Sequence, residues 1–114
     1  MRFDDPYLTD QLIPYIGNKR KLLPLIWEAI RATGIASGVF FDAFAGSGAV
    51  SRLAKTSGFR VVCNDWEPYC ETLNRAYIGT NSSPAFRSLG GIARAFERLN
   101  SLEGERGYIA THYC

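Results

Sequence analysis

The spacing of apolar residues predicts an irregular opening followed by one amphipathic helix. Residues 1–18 contain two prolines and Gly17, which interrupt any continuous element. From Lys19 to Ala32 the apolar positions follow the i, i+3, i+4 spacing of a helix with one buried face. The residues on that predicted face are Leu22, Leu23, Ile26 and Ile30. Pro24 fits the first turn of this helix, and Thr33-Gly34 is a typical helix end.

Two short apolar runs, at residues 39–44 and 59–63, predict buried β-strands. A helical pattern follows each run, over residues 49–55 and 67–77. The order strand, helix, strand, helix is the beginning of a parallel, doubly wound α/β sheet. A sheet reduced to its first strands has an unpaired edge, so we expect a homo-oligomer formed through that edge or an element that covers it.

The rest of the chain is less clearly patterned. Residues 79–84 form a predicted loop, and residues 85–102 form a predicted helix that Gly90-Gly91 weakens. The apolar face of that helix would carry Ile92, Phe96 and Leu99. Residues 107–114 show only a weak pattern. The clear α/β pattern therefore ends near residue 77.

Composition limits the class of protein without deciding it. At 114 residues, with 46% hydrophobic and 21% charged residues, the chain fits one small globular domain. A net charge of +2 and a single basic cluster, Lys19-Arg20-Lys21, do not predict a broad nucleic-acid surface. No apolar run approaches the length of a membrane helix, about 18 residues, and no secretion signal opens the chain. We therefore expect a cytoplasmic protein that does not contact membranes.

The cysteines predict neither disulfides nor a metal site. Cys63, Cys70 and Cys114 are an odd number without a close C-x-x-C pair. His112 and Cys114 are close in sequence, but two ligands are too few for a structural zinc site. We expect free thiols in a reducing compartment.

The segment with the clearest chemistry is Asp42-Ala43-Phe44-Ala45-Gly46-Ser47-Gly48, between the first strand and its helix. Glycine lets a ligand approach the backbone and permits positive φ, and the following helix directs N–H groups and a partial positive charge at the ligand. The carboxylate of Asp42 suits a cationic amine, and a tight turn without any ligand is the alternative. Ser51 stands where the G-x-G-x-x-G pattern has its third glycine, which argues against a nicotinamide dehydrogenase.

A second acid follows at the distance expected of a nucleoside site. Asp65 stands roughly twenty residues after the glycines, at the end of the second predicted strand, where dinucleotide-type folds place the acid that binds ribose hydroxyls. Trp66 comes next and offers a face for adenine, with ordinary packing as the alternative. These residues predict a nucleoside site at the carboxyl edge of the first two strands.

A third motif, Pro14-Tyr15-Ile16-Gly17-Asn18-Lys19, precedes the first strand by about one helix. An aromatic-x-Gly-x-Lys element, then an acid-x-Phe-x-Gly-x-Gly loop, then an acid after the second strand occur here in that order. In this the chain resembles the Dam-like class of DNA adenine-N6 methyltransferases, over residues 11–77. The resemblance implies an α/β, Rossmann-like S-adenosylmethionine-dependent methyltransferase fold, truncated to its first strands and helices.

The resemblance also implies roles for individual residues. The loop from Asp42 to Gly48 would surround the methionine end of S-adenosylmethionine, and Asp65 would hold its ribose. Lys19 would lie near the methionine carboxylate or the target-base pocket; a solvated charge at a helix start is the alternative. The full implied set of cofactor-binding residues is Tyr15, Lys19, Asp42, Phe44, Gly46, Ser47, Gly48, Asp65 and Trp66.

The same resemblance implies what this sequence does not contain. In the class, an Asp-Pro-Pro-Tyr segment accepts hydrogen bonds from the adenine amine and stacks the flipped base, and no such segment occurs in these 114 residues. The segment Asp4-Asp5-Pro6-Tyr7 differs by one residue, but it precedes every predicted strand. We therefore expect no catalytic residue here and no DNA methylation by this chain alone.

The expected organisation is the N-terminal part of a methyltransferase domain over residues 1–114, with residues 80–114 as a candidate start of the target-recognition region. The expected function is the cofactor-binding portion of a restriction-modification DNA adenine-N6 methyltransferase, with DNA as the partner of the whole enzyme. Two alternatives stay open. One is a non-catalytic dimerising or regulatory remnant of the same fold, and the other is a methyltransferase fragment for RNA or a small molecule.

Overall fold

The computed structural model describes residues 2–12, 16–17 and 19–113 and contains two compact units. The first unit ends at Asn81, and the second begins at Ser82. The first unit contains the sheet and the helices that position the candidate site. In the second unit, the described residues form helices and loops.

A short helix, α1 (Pro6–Thr9), lies within the opening that the sequence predicted to be irregular. Its start is stabilised because the Asp5 carboxylate accepts a hydrogen bond from the N–H of Tyr7 at 2.8 Å. Pro6 occupies the first turn, where a missing N–H costs nothing. The prediction was wrong here because a proline that begins a helix was interpreted as one that interrupts it.

Helix α2 (Leu23–Ala32) follows a 3₁₀ turn at Arg20–Leu22. The predicted helix is therefore confirmed, with Pro24 in its first turn and Gly34 at a φ of 72° just beyond its end. Leu23 is buried as predicted. Leu22 is exposed, which the sequence did not predict, because the 3₁₀ turn rotates it away from the α-helical face.

Strands β1 (Val39–Asp42) and β2 (Arg60–Cys63) form a two-stranded parallel sheet. Val39 pairs with Arg60 and Asp42 pairs with Cys63, so both strands end at the same edge. Helix α3 (Ala49–Thr56) connects the strands and packs against both, and α4 (Pro68–Tyr77) follows β2. The protein is a small α/β protein with the predicted element order.

One face of β1 is exposed. Val39 and Phe41 are 64% and 62% exposed, and they alternate with the half-buried Phe40 and Asp42. The sequence predicted a buried strand here, and the exposure of Val39 and Phe41 shows that this was wrong for one face. An apolar run shows that side chains tolerate burial, but it does not show which layer covers them.

Helix α3 is the centre of the core. Its residues Ala49 and Leu53 are buried against Leu8 of α1 and Leu23 of α2. Further apolar side chains pack around this cluster, namely Phe3, Tyr7, Ile26, Trp27 and Val50. Each fully buried large apolar side chain contributes about 1.5–3 kcal/mol. The front segment is therefore held to α3 by a continuous apolar contact.

Two basic side chains of α3, Arg52 and Lys55, bind segments that precede and follow α3 in the sequence. Arg52 is 1% exposed and donates hydrogen bonds to the carbonyls of Tyr7 at 2.8 Å and Asp10 at 3.1 Å. Its guanidinium also lies 4.3 Å from the ring centre of Tyr77 in α4. Lys55 donates to three carbonyls at and just after the end of α4, at 2.7 to 3.2 Å. These contacts join the front segment, α3 and α4.

The second unit contains a 3₁₀ turn at Arg87–Leu89, α5 (Ile92–Asn100) and a short α6 (Tyr108–His112). The predicted helix over residues 85–102 is interrupted at Gly90 and Gly91, whose φ angles are 79° and 101°. The predicted apolar face of α5 is exposed, and Ala95 is buried instead. Among the described residues of the whole chain, no helix is long and apolar enough to span a membrane.

Candidate functional site

Hydrogen bonds between the ends of β1 and β2 build the framework of the site. The N–H of Asn64 donates to the carbonyl of Asp42 at 2.8 Å, and the N–H of Ala45 donates to the carbonyl of Asn64 at 2.9 Å. The side chain of Asn64 adds a hydrogen bond from Nδ2 to the carbonyl of Ala43 at 3.0 Å. The loop after β1 and the segment after β2 are therefore held side by side at the carboxyl edge of the sheet.

The glycines of the loop after β1 adopt conformations that other residues rarely adopt. Gly46 has a φ of 54° and Gly48 a φ of 76°, both in the left-handed region. Residues 45–49 are buried, and Gly48 is the N-cap of α3. The loop therefore turns sharply into the helix, and the helix start lies directly behind it.

Asp65 binds this loop directly. Its Oδ2 accepts a hydrogen bond from the N–H of Gly46 at 2.7 Å, and its Oδ1 accepts one from the N–H of Glu67 at 3.1 Å. The hydrogen bonds from Glu67 and then Gly46 lower the pKa of Asp65 below the usual aspartate value, because both favour the charged carboxylate. The sequence placed the acid and the glycine loop at one edge, and the structure joins them there.

Asp42 faces α3. Its Oδ2 accepts a hydrogen bond from the Ser51 hydroxyl at 2.6 Å, and the Cys63 thiol donates to the same hydroxyl at 3.2 Å. Burial is the main cause that raises the pKa of Cys63. Ser51 thus occupies the third-glycine position with a buried side chain that links the ends of both strands to α3.

Lys19 reaches the loop from the front segment. Its Nζ lies 3.5 Å from the carbonyl oxygen of Phe44. Lys19 and Gly17 also line a small cavity together with the loop and the start of α3; the other lining residues are Ala45, Gly46, Ser47, Ala49 and Val50. Tyr15, the aromatic residue of the same motif, lies outside the described residues. The lysine element and the glycine loop therefore meet.

Two aromatic side chains of the predicted site are exposed. Phe44, in the loop, is 80% exposed, and Trp66, directly after Asp65, is 94% exposed. An exposed large aromatic residue contributes little to the core, so its face is available to a ligand. Trp66 therefore makes little packing contact with the described residues, and its role in binding adenine stays a prediction.

A cleft of about 500 Å³ lies beside Asp65, between the end of β2 and α4. Its lining residues are Cys63, Asn64, Asp65, Glu71, Asn74, Arg75, Ile78 and Gly79. Five of these eight residues have polar or charged side chains, and two of them, Glu71 and Arg75, form an ion pair at 2.8 Å. Asn74 was missed by the sequence analysis because a polar residue inside a helix gives no signal of burial. Among the described residues, no group of three or more His, Cys, Asp or Glu side chains could hold a metal ion.

An α/β unit in which a glycine loop and an acid meet at the carboxyl ends of parallel strands has the layout of a nucleotide-binding α/β protein. Comparison with known protein families identifies the family to which the chain belongs. The model of the D12 class N6 adenine-specific DNA methyltransferases matches residues 15–112, and the chain belongs to this family. The resemblance found in the sequence motifs is therefore confirmed.

Two curated relatives support the family. The chain is 37% identical over 103 residues to the type II methyltransferase M.NlaIII of Neisseria lactamica, covering 88% of this chain and 29% of that protein. It is 32% identical over 74 residues to the modification methylase LlaI of Lactococcus lactis subsp. lactis, covering 65% of this chain and 12% of that protein. The chain thus spans less than a third of either relative. No solved structure matches it significantly.

Proposed function

We propose that this chain forms the S-adenosylmethionine-binding part of a restriction-modification DNA adenine-N6 methyltransferase with a Rossmann-like fold. The observation that carries the proposal is the 2.7 Å hydrogen bond from the N–H of Gly46 to Asp65, because it joins the glycine loop to the acid that we propose to bind ribose. Membership of the D12 class supports the reaction, since methyltransferases of this class act on adenine N6 in DNA. The names of both curated relatives support a modification enzyme.

The residues present fit the proposed cofactor. Both carboxylate oxygens of Asp65 accept a backbone N–H, at 2.7 and 3.1 Å, and a carboxylate offers about four acceptor sites, so Asp65 is suited to accept ribose hydroxyls as well. The exposed ring of Trp66 would cover the adenine face. The hydrogen bonds that lower the pKa of Asp65 favour its charged carboxylate, which accepts stronger hydrogen bonds from hydroxyl groups than a neutral acid does.

The methionine end of the cofactor would lie against the glycine loop. Gly46, Ser47 and Gly48 lead into the N-terminus of α3, whose partial positive charge would attract the methionine carboxylate. Phe44 would shield this end, and Asp42 would contribute negative charge near the ammonium group. Lys19 would neutralise the carboxylate from the front side, and Tyr15 of the same motif is proposed to assist it.

The bound cofactor would supply an electrophilic methyl group. This chain's own contribution would be to bind and orient that group, because the 114 residues contain no Asp-Pro-Pro-Tyr segment to accept hydrogen bonds from the adenine amine. The most similar segment, Asp4-Asp5-Pro6-Tyr7, has another role: Asp5 caps α1, and the Tyr7 hydroxyl donates to the carbonyl of Tyr77 at 2.5 Å. The chain alone would therefore not methylate DNA.

The experiment that tests cofactor binding is calorimetric titration of the 114-residue chain with S-adenosylmethionine. We expect binding heat from the wild type, none from Asp65→Ala and weaker binding from Asp65→Asn, which keeps the size of the side chain. Glu28→Ala is the matched control, because it removes an exposed carboxylate from α2 that pairs only with Arg31 among the described contacts. Absence of heat from the wild type, or equal heat from Asp65→Ala, would contradict the proposal.

The DNA-related part of the proposal has its own test. Incubation of the chain with radiolabelled S-adenosylmethionine and adenine-containing duplex DNA should give no incorporation of label. The unit that begins at Ser82 is proposed to open the target-recognition region, and it carries Arg87, Arg94 and Arg98 for phosphate contacts. A cytoplasmic location and self-association through the sheet edge complete the proposal. Incorporation of label by this chain alone would refute the division of roles.

A further inference from the structure

Asn74 in α4 makes a buried contact with the glycine loop. The residue is 8% exposed, and its Nδ2 donates hydrogen bonds to the carbonyl of Cys70 at 2.8 Å and to the carbonyl of Gly46 at 3.1 Å. The second contact joins residues 28 positions apart in the sequence. It connects the middle of α4 to the loop after β1.

Gly46 is therefore held on both of its sides. Its N–H is bound by the carboxylate of Asp65, and its carbonyl is bound by the amide of Asn74. The two bonds act on the two peptide groups that flank one residue with a φ of 54°. Because glycine has little conformational preference of its own, these two contacts restrict the orientation of the two peptide groups at Gly46.

The Oδ1 atom of the Asn74 amide does not stabilise the fold. This atom is buried and has no hydrogen-bond partner among the described residues. It lies so close to Gly48 that a Cβ on this glycine would overlap it. A buried acceptor without a partner destabilises a fold by about 1–3 kcal/mol. The two hydrogen bonds from Nδ2, worth about 0.5–1.5 kcal/mol each, offset a cost of this size, so the amide adds little net stability and its specific contribution is the contact with Gly46.

We propose that Asn74 is a positioning residue for the cofactor site, which fixes the Gly46 backbone for the methionine end of the ligand. The inference rests on the proposed function and adds a residue that none of the sequence motifs contains. Movement of α4 would then move the loop and Asp65 together, because Asp65 precedes this helix and Asn74 lies within it. The substitution of interest removes the donor without leaving a cavity.

The test uses Asn74→Leu, which has the same branching and number of side-chain heavy atoms and removes both hydrogen bonds of Nδ2 together with the unpaired acceptor. We expect its free energy of unfolding to fall by no more than about 2 kcal/mol, because the loss of two hydrogen bonds is offset in part by removal of the buried unpaired acceptor. We expect its dissociation constant for S-adenosylmethionine to rise about tenfold, the equivalent of one hydrogen bond. Leu23→Ala is the control, because it removes core volume without touching Gly46 and should lower stability while leaving the affinity of the folded protein unchanged.

A second readout does not depend on cofactor binding. In a ¹⁵N-labelled chain without ligand, Asn74→Leu should shift the Gly46 amide resonance and accelerate its hydrogen exchange, whereas Leu23→Ala should not shift it. Asn74→Asp, which keeps the size but removes the donor, should change the Gly46 resonance in the same way and covers the case in which the leucine variant does not fold. An unchanged Gly46 resonance together with unchanged affinity would overturn the proposal. If the wild type binds no cofactor, the proposed function fails, and the Gly46 resonance still decides whether Asn74 positions the loop.

Discussion

Replacing Arg52 by methionine should destabilise the protein by about 3 kcal/mol. The substitution removes two hydrogen bonds from a charged donor, to the carbonyls of Tyr7 and Asp10, each worth about 1.5–3 kcal/mol. It also removes the contact with the Tyr77 ring at 4.3 Å, worth about 1–2 kcal/mol in a buried setting. Methionine recovers part of this loss because it avoids burying a guanidinium whose Nε has no hydrogen-bond partner among the described residues.

Urea denaturation followed by circular dichroism measures this effect. Since small domains are stable by about 5–15 kcal/mol, a loss of this size should move the transition midpoint clearly. Arg31→Met is the matched control, because Arg31 is exposed on α2 and forms a 3.5 Å ion pair with Glu28, worth about 0–1 kcal/mol. If the free energy of unfolding of Arg52→Met lies within about 0.5 kcal/mol of that of the control, the guanidinium does not hold the front segment to α3 and α4, and the reasoning is refuted.

Three further predictions test other contacts. Gly48→Ala should lower the free energy of unfolding by about 1 kcal/mol or more, because φ is +76° and the new Cβ would overlap the Asn74 side chain. Its control, Gly104→Ala, places the new Cβ in open space and should have almost no effect in the same thermal melts. The lowered pKa of Asp65 stabilises the folded state above the ordinary aspartate pKa of about 3.9, and this stabilisation is lost as the pH falls through the lowered pKa. The difference in the free energy of unfolding between wild type and Asp65→Asn, measured by urea denaturation, should therefore vanish below that pKa. Lys55→Met should accelerate hydrogen exchange at the end of α4, whereas Lys21→Met should not.

The order of elements and the edge that carries the site were predictable from the sequence. Both depend on local patterns: two apolar runs, a Gly-x-Gly turn after the first, and an acid directly after the second. Gly46 and Asp65 meet because the carboxyl ends of neighbouring parallel strands lie at one edge, whatever the side chains around them. The roles assigned to these residues in binding a cofactor stay predictions.

The buried polar contacts could not be predicted in this way. Arg52 and Asn74 are polar residues in helices, and a pattern of apolar positions places such residues on the solvated face. Their burial depends on backbone carbonyls far away in the sequence, 45 residues from Arg52 and 28 from Asn74. The exposed face of β1 was missed for the opposite reason, because Phe41 is apolar and a strand pattern does not count the layers around a sheet.

The two N–H groups that bind Asp65 also determine how it can take part in recognition. A carboxylate that accepts hydrogen bonds at both oxygens does not rotate freely, so the positions of its two oxygens are fixed before any ligand binds. Preorganisation of this kind saves the rotamer entropy, about 0.5–1.5 kcal/mol, that a mobile side chain loses on binding. It also makes Asp65 selective for the spacing of its hydroxyl partners, since a donor pair with another separation would have to break a backbone hydrogen bond to fit.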